Sequence, residues 1–182
     1  MKEFGRYFEK INHLLTSVDE DKLRDAVDTI ESTADAGGKL IFIGNGGSAA
    51  MSSHLSVDFT KACGIRSINF NEADLITCFA NDYGYENWCE QALLAYADQD
   101  DLVILISSSG NSQNILNAAK YCIKNNIRFI TFTGFSVKNP LNGLGLLNFH
   151  VNSNCYNFVE MVHHIWLVSL VDYIAEVDEF EK

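Results

Sequence analysis

Two short stretches of this chain concentrate glycines and hydroxyl groups in a way that suits phosphate binding. One is Gly44-Asn45-Gly46-Gly47-Ser48, the other Ser107-Ser108-Ser109-Gly110-Asn111-Ser112. Gly44, Gly46 and Gly47 permit positive φ and let the backbone approach a ligand closely. Ser48 can cap a following helix and offer a hydroxyl. Ser107, Ser108, Ser109 and Ser112 place four hydroxyls around Gly110. A helix opening beside them would add free N–H groups and a dipole that favours an anion. Two further pairs could move protons or hold a metal: His54 with Asp58, and Glu160 with His164. Each pair is spaced i, i+4, which puts both members on one helical face. Two imidazoles and two carboxylates form an N/O donor set suited to zinc or a similar divalent ion.

The elements that must position these groups follow from periodicity. From Phe4 to Ala36 apolar residues recur at three- and four-residue spacing, so a helical pair is expected over 1–36 as an N-terminal extension. Ser17-Val18-Asp19-Glu20 resembles a capping-box break, and Gly37-Gly38 ends the second helix. Lys39–Ile43 reads as a strand apolar on both faces, as a buried parallel strand should be. It runs into the glycine loop, and a helix from about Ser48 to Ala62 follows. Further strands are expected at 66–70, 102–106, 128–133 and 147–151, with helices at 114–124 and 155–176. Alternating strands and helices predict one α/β domain over 1–182: a five-stranded parallel sheet flanked by helices, three layers deep. Each Ser/Gly loop then stands at a strand's carboxyl end and opens a helix, where open parallel sheets bind ligands.

The bulk composition narrows the function. The chain has 182 residues, 47% hydrophobic and 20% charged, with net charge −11. An acidic surface of this kind opposes nucleic acid, whose recognition needs clustered Lys and Arg. It does not oppose an anionic ligand held locally by backbone N–H groups. Five cysteines with no C-x-x-C argue against a disulfide framework and for reduced thiols in the cytoplasm. The N-terminal stretch has no apolar signal core, and no run approaches the ~18 apolar residues of a membrane helix. The expectation is a cytoplasmic protein without membrane contact.

One Ser/Gly loop alone reads as a turn plus a helix cap. Two such loops on one sheet read better as a ligand site. Gly44-Asn45-Gly46-Gly47-Ser48-Ala49 also fits the dinucleotide fingerprint, with Glu72 as its acidic partner. That pattern leaves the serine cluster unexplained, so no nucleotide cofactor is expected.

Three segments together, Gly44–Ala50, Asn81-Asp82-Tyr83-Gly84-Tyr85-Glu86 and Ile106–Ser112, resemble the sugar isomerase (SIS) domain family and, within it, the phosphoheptose isomerase branch. The resemblance covers nearly the whole chain. It implies aldose–ketose isomerisation of sedoheptulose 7-phosphate to a heptose 7-phosphate, on a five-stranded parallel sheet. It implies a homotetramer with sites between subunits, the N-terminal helical pair reading as interface. Ser107, Ser108, Ser109 and Ser112 would hold the phosphate. Asn45, Gly46 and Ser48 would contact the sugar chain, and Asp82 would sit near sugar hydroxyls or a neighbouring subunit. The branch also contains relatives that bind partners, one of them the replication initiator DnaA. A non-catalytic sugar-phosphate- or partner-binding protein is therefore the alternative.

Such an isomerisation needs a base for the carbon-bound proton and an acid, or a metal, for the oxygens. The residues themselves offer Asp58 or Glu160 as the base and His164 as the acid, with His54, Asp58, Glu160 and His164 as a candidate zinc set. The resemblance implies a histidine and an acidic residue at 54 and 58, where some members hold zinc. The family pattern is altered here. Asp58 stands where the family has glutamate, Glu160 where it has glutamine, and Val168 where it has a second histidine. His164, one turn before Val168, could stand in for it. Glu160 lies among Phe158, Val159, Met161 and Val162, where an unpaired carboxylate is costly unless it has a function. His13 and His150 read as structural, and His163 is undecided. Trp166, Tyr173 and the phenylalanines read as core, and Glu176–Glu181 as a solvated end.

Overall fold

The computed structural model describes residues 3–177. Five strands form one parallel sheet: β1 (Leu40–Gly44), β2 (Ser67–Asn69), β3 (Leu102–Ser107), β4 (Arg128–Gly134) and β5 (Leu147–Val151), in the order β2-β1-β3-β4-β5. Every residue of β1 and β3 is buried, because helices cover both faces. Alternate side chains divide between two cores, as strand pleating requires. Leu40, Phe42 and Ile104 face α1 (Phe4–Leu15), α2 (Glu20–Asp35), α3 (Gly47–Lys61) and α7 (Tyr156–Ile174). Ile41, Ile43, Val103 and Leu105 face α4 (Ala73–Tyr83), α5 (Trp88–Tyr96) and α6 (Gln113–Asn125).

The strand order reverses between β1 and β3, which makes their carboxyl ends the switch point where such sheets take ligands. Their register is level there, with Gly44 opposite Ile106. The other end is pinned by buried Asp101, which accepts from the Lys39 backbone at 2.9 Å and from its Nζ at 2.6 Å.

The N-terminal break falls at 16–19, but not with Ser17 as the cap. The Ser17 hydroxyl donates to Leu14 O at 2.7 Å and closes α1, while Asp19 accepts from Asp21 N and caps α2. β2 is a three-residue edge strand, shorter than expected. Helices α4 and α5 occupy a region to which periodicity assigned nothing. α4 has no buried residue, and α5 is a nine-residue helix that buries only Trp88, Cys89, Ala92 and Leu93. Neither carries an apolar stripe long enough to read.

Trp166 is buried and donates through Nε1 to Leu15 O at 2.9 Å, fastening α1 to α7. Tyr173, Phe4 and Phe8 are not core as expected; they are 60%, 82% and 61% exposed. α1 rests on α7 by one stripe and buries only Leu14, so its other face stays open. Among the described residues no helix is long and apolar enough to cross a membrane. Asp178 to Glu181, most of the expected acidic end, lie outside the described residues.

Candidate active site

The loops after β1 and β3 enclose a cavity of about 290 Å³. Its walls are Asn45, Gly46, Gly47 and Ser48 on one side, and Ile106, Ser107, Ser108, Ser109 and Ser112 on the other. Tyr156 and Glu160 of α7 complete it. The first loop is made by Gly46, at φ 55, which is the N-cap of α3 and has no side chain with which to cap. Ser48 therefore does not cap α3 as expected; it is buried in the first turn and lines the cavity. The second loop turns on Gly110, at φ 65. Ser112 is the N-cap of α6, yet its hydroxyl receives the Ser107 hydroxyl at 3.3 Å and caps nothing. Two helices thus open onto the cavity without a side-chain cap hydrogen bond at their amino ends, and both dipoles favour an anion there.

Ser108 adds a sharper mark. Its hydroxyl is buried and, among the described residues, has no hydrogen-bond partner. A buried unpaired hydroxyl costs free energy unless a ligand satisfies it.

Glu160 enters from the opposite wall. Its carboxylate lies so close to Gly47 that a Cβ on Gly47 would collide with it. The absence of a side chain at Gly47 gives that carboxylate its place at the start of α3.

His54, Asp58 and His164 form a second group. They lie in the groove between α3 and α7, one turn along α7 from Glu160, and do not line the cavity. His54 Nε2 is 2.9 Å from Asp58 Oδ2, and His54 Nδ1 is 2.9 Å from His164 Nε2. As a carboxylate Asp58 accepts, so Nε2 of His54 carries a hydrogen. With His54 neutral, its Nδ1 accepts from His164 Nε2 and the Nδ1 of His164 carries the lone pair. Burial holds His164 below the usual imidazole value; His54 adds to this and Asp58 opposes it. The four-residue metal set does not converge. Both nitrogens of His54 are committed to protein partners, Glu160 stands apart, and among the described residues no three His, Cys, Asp or Glu side chains are placed to hold a metal. Zinc does not fit this arrangement.

Asp82 does not reach the cavity either. It accepts from Asn81 Nδ2 at 2.9 Å on the exposed last turn of α4. The same segment reaches the cavity wall through Tyr85, whose hydroxyl donates to Asn45 Oδ1 at 3.2 Å. Glu72 is exposed at the start of α4 and does not line the cavity. Tyr85 and Tyr156 were missed by sequence reasoning. Tyr156 had a signal, the i, i+4, i+8 series with Glu160 and His164.

His163 is a core residue. It is fully buried, and its Nε2 lies 2.9 Å from Thr133 O. Burial pushes its pKa down to about 4, with nearby His150 adding to the effect. Between about pH 4 and 6.5 the unfolded chain therefore binds a proton that the folded chain refuses. Stability from this group is full above pH 6.5 and falls by roughly 3 kcal/mol toward pH 4. Urea midpoints measured over that range should fall more steeply for the wild type than for His163→Gln. Parallel curves would assign the slope elsewhere.

The chain's likeness to known proteins agrees with this geometry. The SIS domain profile matches residues 6–134. The phosphoheptose isomerase of Cytophaga hutchinsonii is 32% identical over 120 residues, 63% of either chain, so that alignment spans under two thirds of the relative's length. Phosphoheptose isomerase 2 of Campylobacter jejuni is 34% identical over 152 residues, 80% of this chain and 75% of the relative. In fold, the chain superposes on a phosphoheptose isomerase structure from Francisella tularensis with a TM-score of 0.85, at 23% identity, covering 97% of this chain and 100% of the other.

Proposed function

This chain belongs to the SIS domain family, and from that premise we propose that it is a cytoplasmic aldose–ketose isomerase converting sedoheptulose 7-phosphate to a heptose 7-phosphate. The observation that carries the reading is the buried, unpartnered Ser108 hydroxyl in a cavity faced by two uncapped helix ends, with one carboxylate on the far wall. The phosphate is held by Ser107, Ser108, Ser109 and Ser112 and the first N–H groups of α6. A phosphate and a carboxylate repel, so the reacting carbons lie at the Glu160 end, beside Asn45, Gly46 and Ser48.

Glu160 is the base. It takes a proton from C1 of the open-chain ketose; the electrons form C1=C2, and the C2 oxygen gains a proton. The hydroxyl proton at O1 then leaves, C1=O forms, and Glu160 returns its proton to C2. The balance is closed, with no oxidant or reductant. The oxygen protons come and go through water at the cavity mouth, and His164, one turn along α7 with its ring held by His54 and Asp58, is the group that relays them. That relay is open to solvent: the His54 side chain is 52% exposed and Asp58 32%. It stands near Val57, Met161 and Ile165, all exposed, on a molecule whose α1 also exposes Phe4 and Phe8. A second copy covering this face would shield both the apolar surface and the relay, and a homotetramer is the proposed assembly.

The test is sedoheptulose 7-phosphate in D2O followed by NMR, with the same sample's mass measured by light scattering. Turnover with solvent deuterium at the carbon, and a mass four times the 20.3 kDa chain, is expected. Binding without turnover or exchange would sink the isomerase reading and leave a sugar-phosphate-binding protein.

A further inference from the structure

Asn45 is more tightly held than a ligand-contacting side chain needs to be. Its Oδ1 accepts from Tyr85 OH at 3.2 Å and from Asn114 Nδ2 at 2.9 Å, while its Nδ2 donates to Asn114 Oδ1 at 3.0 Å. Asn114 is itself only 2% exposed and spends its second N–H on Cys89 Sγ at 3.3 Å. Burial pushes the Cys89 thiol far above its usual value, so this end of the chain of bonds stays uncharged. The other end is anchored as well. Asn117, one turn after Asn114, donates to Glu86 O at 2.9 Å and to Asn87 Oδ1 at 3.0 Å, fixing the turn that carries Tyr85.

The count of donors and acceptors gives the consequence. Both acceptor positions of Asn45 Oδ1 are filled, and one of its two amide hydrogens is used. A single N–H is left on a residue that lines the cavity. We propose that Asn114 and Tyr85 are positioning residues that lock the Asn45 carboxamide, so that its one free N–H is presented to an oxygen of the bound sugar. They select the sugar end of the ligand and take no part in holding the phosphate. This rests on the reading of the cavity as a sugar-phosphate site. It follows that the glycine loop recognises the sugar as a hydrogen-bond acceptor, its carbonyl or enediolate oxygen, and that the Asn81–Glu86 segment acts on the site through Tyr85.

The experiment is calorimetric titration of the wild type, Tyr85→Phe and Asn114→Leu with inorganic phosphate and with sedoheptulose 7-phosphate. Tyr85→Phe removes one hydroxyl from an exposed turn and leaves the fold intact. It should weaken sugar-phosphate binding about fivefold, the size of one neutral hydrogen bond. Asn114→Leu removes two bonds to Asn45 and should weaken it by about 20-fold or more. Inorganic phosphate should bind all three proteins equally. Loss of phosphate affinity in step with sugar-phosphate affinity would mean a general loosening of the loops and would overturn the positioning role. Unchanged affinity of Tyr85→Phe for both ligands overturns it too. A wild type with no preference for the sugar phosphate over phosphate overturns the reading of the cavity itself, before either variant is consulted.

Discussion

Glu160→Gln is expected to lower kcat on sedoheptulose 7-phosphate by about 10²–10⁴, the range over which a positioned general base contributes. Binding should be retained. Glutamine keeps the shape of glutamate and fits the same space against Gly47, but it cannot accept a proton from carbon. Substrate affinity should hold or rise slightly, because a carboxylate facing an anionic ligand is removed. Exchange of the C1 proton with D2O should vanish along with turnover, since both need the same base. The substitution also divides the two carboxylate candidates. Asp58 donates nothing to the cavity wall and is spent on His54 Nε2 at 2.9 Å. Turnover within about threefold of wild type would move the base to Asp58 and reassign Glu160 to binding.

Gly110→Ala is expected to destroy phosphate binding and lower stability together. Gly110 sits at φ 65, where a Cβ costs about 1–2 kcal/mol. That Cβ would also collide with the Asn139 side chain. Asn139 cannot step aside cheaply. It is 5% exposed, its Oδ1 accepts from Leu141 N at 3.2 Å and Asn142 N at 2.9 Å, and its Nδ2 donates to Gly134 O and Ser136 O. Overpacking of this kind adds about 1–3 kcal/mol. The sum, roughly 2–5 kcal/mol, should lower the Tm by about 5–15 °C for a domain of this size. Relief by moving the serine loop would scatter the hydroxyls around it, so affinity for inorganic phosphate should drop by at least about 100-fold, the loss of two or more charge-assisted bonds. Gly64→Ala is the control: Gly64 has φ 68 but open space where its Cβ would go. It should carry the strain cost alone and bind phosphate normally. Equal phosphate affinity in Gly110→Ala and Gly64→Ala would show that the serine loop does not depend on the Gly110 turn.

The parts of this molecule that were legible in the sequence are those whose causes are local. β1 and β3 are short runs, apolar at every residue before the Gly44 and Ser107 that end them, which a strand buried on both faces demands. The glycines and serines at their ends mark turns and helix starts through φ preference and hydroxyl placement alone. The five parallel strands and both loops follow from such signals. Helices α4 and α5 escaped because their apolar content is partial and discontinuous, so no period stands out.

The sequence by itself determined that two Ser/Gly loops stand at strand ends, and that Glu160 and His164 share one helical stripe. Only the tertiary structure decided which of those groups meet. Glu160 meets Gly47 and the serine cavity, while His164, one turn on, meets His54 across 110 residues of chain and turns away from it. Tyr85 reaches Asn45 across 40 residues, and Asp82, three positions earlier, does not. The physical reason is the depth at which α3 and α7 seat on the sheet and the point at which α6 clamps the 85–87 turn. Spacing along one helix fixes a face, whereas contact between two helices depends on how far each slides along its axis before its core side chains lock.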